Sequence, residues 1–117
     1  MSFTYNIIRK DPEVVLSLYG ELIDRTQSQD FVSLTESFFE EGKNRFILDL
    51  SELRYMNSSG LNLLITLLTR SRKNGGDLIL CGISQKVREL LLITKLNSVF
   101  TVTDTVEEAA ARFNTGS

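Results

Sequence analysis

Four times in 117 residues a short apolar or alternating run gives way to a stretch with helical periodicity, and that alternation leaves few architectures open. Glu13–Tyr19 alternates, with Val14, Leu16 and Leu18 facing one way, and Gly20 is expected to end it. Thr4–Arg9 is its expected partner, joined through a turn at Lys10-Asp11-Pro12. Thr26 with Gln29 fits a capping box, and Phe31, Leu34, Thr35 and Phe38 follow at helical spacing up to Gly42. Arg45–Leu50 reads as a second apolar strand. A helix then opens near Ser58, with Leu61, Leu64, Ile65 and Leu68 on one face and Asn62, Thr66, Thr69 and Lys73 opposite, and stops at Asn74-Gly75-Gly76.

Asp77–Cys81 is the next strand, and Ser84 caps a helix carrying Val87, Leu90, Leu91 and Thr94 on one face. Ser98–Val102 reads as a last short strand. Asp104 with Glu107 is expected to cap a helix over 106–113. Strands alternating with helices imply right-handed crossovers and parallel pairing, while the opening hairpin adds an antiparallel edge. The expected fold is therefore α/β, a single domain over 1–113 with a mixed, mostly parallel sheet of four to five strands, about four helices packed on it, and a frayed tail at 114–117.

Composition narrows the function. The net charge is −2, so no basic excess draws nucleic acid or an anionic membrane. The one cysteine, Cys81, reads as a small buried hydrophobe and fits a reducing, cytoplasmic compartment. The N-terminus lacks the charged start and apolar core of a signal peptide, and the longest apolar run, Leu61–Leu68, is broken by Asn62 and Thr66. There is no histidine, Asp49 has no nearby second carboxylate except Glu52, and Gly75-Gly76 lacks the spacing and lysine of a phosphate-binding loop. Catalysis, a metal and a bound cofactor are all unexpected, and a small nucleotide-binding protein or enzyme is the weakest alternative.

The chemistry concentrates between Asp49 and Leu61, where Asn57-Ser58-Ser59-Gly60 lies between a strand and the long apolar helix. A helix start carries free N–H groups and about half a positive charge, which suits a phosphate on a serine hydroxyl. Asn57 and Ser58 are also ordinary helix caps, and Gly60 is also ordinary close packing of helix on sheet.

Taken together, Gly20-Glu-Leu22, Leu48-Asp-Leu-Ser51, Tyr55-Met-Asn-Ser-Ser-Gly-Leu61, Asn74-Gly-Gly76 and Ile83-Ser84 with Val87 make the chain resemble the anti-sigma factor antagonists, single-domain proteins of the STAS fold. The resemblance covers nearly the whole chain. It implies that the first serine of an Asp-Ser-Ser-Gly motif is phosphorylated by a GHKL-type kinase that doubles as the anti-sigma factor. The unphosphorylated antagonist binds that kinase, and a PP2C-type phosphatase resets the serine. By position the phosphorylated residue is Ser58. Two positions depart from the family pattern: Asn57 stands for the motif's usual Asp, and Gly20-Glu-Leu-Ile23 replaces Gly-Glu-Leu-Asp, with the acid displaced to Asp24.

Asp24 is a candidate partner contact, because connections after parallel strands gather at one end of a sheet. Asn57, Ser59 and Gly60 shape the serine loop. Asn62 and Thr66, with Thr69 and Arg70 beyond them, line the exposed side of the helix as candidate contacts. The expected protein is a monomeric, non-enzymatic switch. The leading alternative keeps the module and changes the output to secretion, biofilm or lipid transport.

Overall fold

The computed structural model describes residues 3–23, 26 and 28–115, Thr115 by its backbone alone. Its elements follow the order β1 (Phe3–Arg9), β2 (Val14–Leu22), α1 (Gln29–Glu40), β3 (Arg45–Met56), α2 (Ser58–Lys73), β4 (Asp77–Cys81), α3 (Gln85–Ile93), β5 (Thr101–Thr103) and α4 (Val106–Thr115). The five strands lie side by side in sequence order. β1 is antiparallel to β2, and every later neighbour is parallel.

The period of two along the strands divides the core. Val14, Leu16 and Leu18 of β2, with Leu48 and Leu80 from β3 and β4, face Phe31 and Phe38 of α1, the leucines of α2, and Val87 and Leu91 of α3. The residues between them, Val15, Ile47, Ile79 and Cys81, face the opposite way and meet Ala109 of α4. The sheet is thus covered by three helices on one face and one on the other. Each such fully buried aliphatic side chain contributes about 2 kcal/mol. Burial pushes the Cys81 thiol up to about 12, with the charges of Asp49 and Glu107 adding to the shift, so it stays a protonated hydrophobe at neutral pH.

Five expected boundaries move. β2 does not end at Gly20 but passes through it at φ +88° and continues to Leu22. Glycine alone takes that conformation without steric cost, and here it sits among register shifts between β2 and β3. β3 runs on past Leu50 to Met56, with Leu50, Leu53 and Met56 buried and the residues between them exposed. Those same register shifts turn an expected two-residue alternation into a three-residue one.

α1 starts with Ser28, not Thr26, at its N-cap: the first helical bond runs from the Val32 N–H to the Ser28 carbonyl at 3.0 Å. β5 is displaced from 98–102 to Thr101–Thr103, because the preceding residues fold back on the end of α3, with Val99 and Phe100 both donating to the Leu96 carbonyl. α4 is capped by Thr105 rather than Asp104, its Oγ1 accepting the Glu108 N–H at 3.1 Å, and the helix extends past Phe113 to Thr115. Among the described residues no helix is long and apolar enough to cross a membrane.

Candidate functional site: the serine turn at the start of α2

β3 runs beside β2 as far as Met56, past the end of β4, and there it turns at Asn57 into α2. Asn57 is extended, with φ −105° and ψ −171°, and is the N-cap. Its Oδ1 accepts the Gly60 N–H at 3.0 Å, and its carbonyl accepts the Leu61 N–H at 2.9 Å, the first full helical bond. Its other amide atom acts at long range, Nδ2 donating to the Ile23 carbonyl at 3.1 Å. The Asn57 backbone N–H points to the Leu22 carbonyl at 3.4 Å.

The place of Asn57 within the motif has a direct consequence. A carboxylate could accept from Gly60, but it would set a second oxygen against the Ile23 carbonyl. Only an amide caps the helix and ties down the end of β2 together.

Gly60 completes that tie by contact. It is buried, and a Cβ on it would lie 2.2 Å from the Leu22 carbonyl oxygen and 2.9 Å from carbons of Leu22 and Met56. Of its two readings, close packing of helix on sheet is therefore the one observed. The turn holds Leu22 and Ile23 on one side and residues 57–60 on the other as one unit.

Ser58 and Ser59 are the first two residues of α2, and both are exposed. Their N–H groups belong to the first turn and have no intrahelical acceptor. No acidic residue occupies that turn, while Arg70, Arg72 and Lys73 occupy the last one. The positive end of the helix dipole at Ser58 is therefore unopposed by any side chain of its own turn. The arrangement accommodates an anion on a hydroxyl. It offers no base to activate one, and among the described residues no group of three His, Cys, Asp or Glu could hold a metal ion. Asp49 of β3 is engaged locally, its Oδ1 accepting the Ser51 N–H at 3.0 Å.

The remaining candidates divide. Asn62 and Thr66 are exposed and follow Ser58 at intervals of four, so they continue one stripe along α2, with Thr66 Oγ1 donating back to the Asn62 carbonyl at 3.0 Å. Arg70 does not belong to that stripe. It is turned toward α1, ion-paired with Glu36 and stacked over Phe39 at 4.9 Å. Asp24 lies outside the described residues. The sequence did not single out Tyr55, which is 44% exposed three residues before Ser58. Its signal was masked by the expectation that β3 had already ended.

The STAS domain family model matches residues 5–109. This chain belongs to the STAS domain family. As a STAS domain it is 37% identical over 76 residues to BtrV of Bordetella bronchiseptica, named provisionally as an anti-sigma factor antagonist, a match spanning 65% of this chain and 66% of that protein. TM1081 of Thermotoga maritima superposes with a TM-score of 0.82 at 26% identity over 96% of this chain and 94% of that one. The unphosphorylated form of the anti-sigma factor antagonist SpoIIAA superposes at 0.76, with 24% identity over 99% of this chain and 98% of that one. The phosphorylated form of Bacillus SpoIIAA gives 0.70 at 23% identity over 95% and 98%.

Proposed function

We propose that this STAS domain is an anti-sigma factor antagonist that works by phosphorylation-controlled binding. Its unphosphorylated form binds and sequesters a GHKL-type serine kinase that is itself the anti-sigma factor. Phosphorylation of Ser58 releases that partner, and a PP2C-type phosphatase restores the hydroxyl. Asn57, Ser59 and Gly60 form the loop, and Asn62, Thr66 and Asp24 belong to the contact surface.

The observation that carries the reading is the exposed Ser58 hydroxyl at the N-terminus of a 16-residue helix with no acid in its first turn. A phosphate adds a charge of about −1.5 to −2 at neutral pH, and a helix start tolerates it locally. A partner covering the same spot must desolvate that charge, which costs several kcal/mol without a cation opposite it. The names of the relatives and the existence of SpoIIAA in two phosphorylation states support the same reading.

The test is direct. Incubated with its kinase and ATP, the chain gains one phosphate, and fragment mass spectrometry assigns it to Ser58. Ser58→Ala removes the modification and keeps the fold. A phosphate on Ser59 or on a residue outside the turn refutes the site.

A further inference from the structure

α3 and β5 leave a groove of about 370 Å³ between them. Leu91 and Phe100, both buried, and the half-buried Val102 make its floor, and the exposed Arg88, Leu92 and Asn97 make its walls. The turn on its far side is fixed in place. The Leu96 N–H donates to the Leu91 carbonyl at 2.8 Å, the Val99 N–H to the Leu96 carbonyl at 3.0 Å, and Arg72 Nη2 reaches across from α2 to the Val99 carbonyl at 3.2 Å. The groove is therefore formed before anything enters it.

Three properties set it apart from ordinary surface. Apolar exposure gathers there: among the described residues six large apolar side chains are exposed, and Leu92, Ile93 and Val99 are three of them. Its polar groups are free. Arg88 and Asn97 make no side-chain hydrogen bond or ion pair among the described residues, and the neighbouring acid, Glu89, accepts from Gln85 at 3.3 Å instead. The local charge is also reversed. Residues 85–100 carry Lys86, Arg88 and Lys95 against Glu89 alone, in a chain whose net charge is −2.

We propose that this groove is a binding site for a small monocarboxylic acid with an apolar body. The Arg88 guanidinium takes the carboxylate, whose two oxygens match its planar fork, and the Asn97 amide offers a further donor. Arg88 and Leu92 stand four residues apart on α3, so the charge and the apolar wall share one face. The body of the acid lies against Leu92 and over Leu91, Phe100 and Val102. One guanidinium above an apolar floor suits a single negative charge on an apolar molecule, whereas a phosphate needs several donors around it. The volume falls near the lower end of the roughly 300–1,000 Å³ of ligand sites, so the acid is small. β5 is the outermost strand and the serine turn is fastened to β2, so the groove is a separate site and its occupancy does not depend on Ser58.

The test is an NMR titration of the isotope-labelled full chain with octanoate below its micelle concentration. Saturable shifts are expected at the amides of Arg88, Leu92, Asn97 and Val102, with octan-1-ol binding about tenfold more weakly and octylammonium not saturating. Arg88→Gln should weaken octanoate about tenfold and leave octan-1-ol unchanged. Arg88→Glu should reverse the preference, taking octylammonium in place of octanoate. Arg88 is exposed, so neither variant disturbs the core, and unchanged amide shifts on β2 and β3 check this. Equal affinities for octanoate and octan-1-ol, an unaltered affinity in Arg88→Gln, equal shifts at the exposed Ile7 and Ile8 of β1, or no saturable shift at all each overturn the site. All of them leave the Ser58 reading untouched.

Discussion

Helices α2 and α4 begin in the same way and present opposite surfaces. Each follows a strand closely, and each has a polar side chain that accepts a first-turn N–H: Asn57 from Gly60 in α2, Thr105 from Glu108 in α4. In α4 the first turn then carries Glu107 and Glu108, and the Glu108 carboxylate lies 3.3 Å from the Thr105 hydroxyl. The positive end of that helix is matched by the chain's own acids. In α2 the equivalent positions are Ser58, Ser59 and Gly60, and no acid is present. Capping therefore does not distinguish a switch from a scaffold. What distinguishes them is whether the helix start is already satisfied by fixed charge or left with hydroxyls that can acquire it.

Mutations should widen or erase that contrast. The largest effect is expected at Gly60, which has no counterpart in α4. Gly60→Ala drives a methyl into the Leu22 carbonyl and should cost about 3 kcal/mol, read as a lower midpoint in denaturant unfolding. A loss under about 0.5 kcal/mol would mean that the turn relaxes freely and is no rigid platform. Next comes charge at the switch. Ser58→Asp should weaken binding to the kinase about a hundredfold by calorimetric titration, because its carboxylate would be covered without a partner. Equal affinities for the Ser and Asp forms would reduce α2 to a second α4.

The two caps should then separate. Thr105→Ala removes one capping bond and should cost about 1 kcal/mol. Asn57→Ala removes a cap and the tie to the Ile23 carbonyl, and should cost about 2 kcal/mol in the same unfolding measurement. The smallest effect is the stability of Ser58→Asp itself. Its charge suits an unopposed helix start, so its melting temperature should match or slightly exceed that of wild type, a gain of about 0.5 kcal/mol at low salt that fades as salt is added.

Much of this was legible in the sequence because periodicity and capping are local. The order of strands and helices, the two faces of β2 and the place of Asn57 at a helix start follow from residue spacing alone. The failures at Gly20, at the end of β3 and at Arg70 are nonlocal. Gly20 looked like a stop because glycine usually punctuates, and only its pairing with β3 shows it inside a strand. Residues 51–56 looked like a connection because Leu50, Leu53 and Met56 repeat every three residues, a period that belongs to neither a regular strand nor a helix. Tyr55 was hidden with them. Arg70 read as part of a solvent-facing stripe, since nothing near it in sequence announces Glu36 and Phe39, more than 30 residues away on α1.

The serine turn is fastened to β2 through main-chain oxygens, those of Leu22 and Ile23, and a carbonyl is the same whatever side chain follows it. Selection can therefore rewrite the side chain at position 23 without loosening the turn. That leaves room for the surface beside the turn to diverge while Ser58 stays in register at the start of α2, so that change can accumulate beside the turn rather than in it.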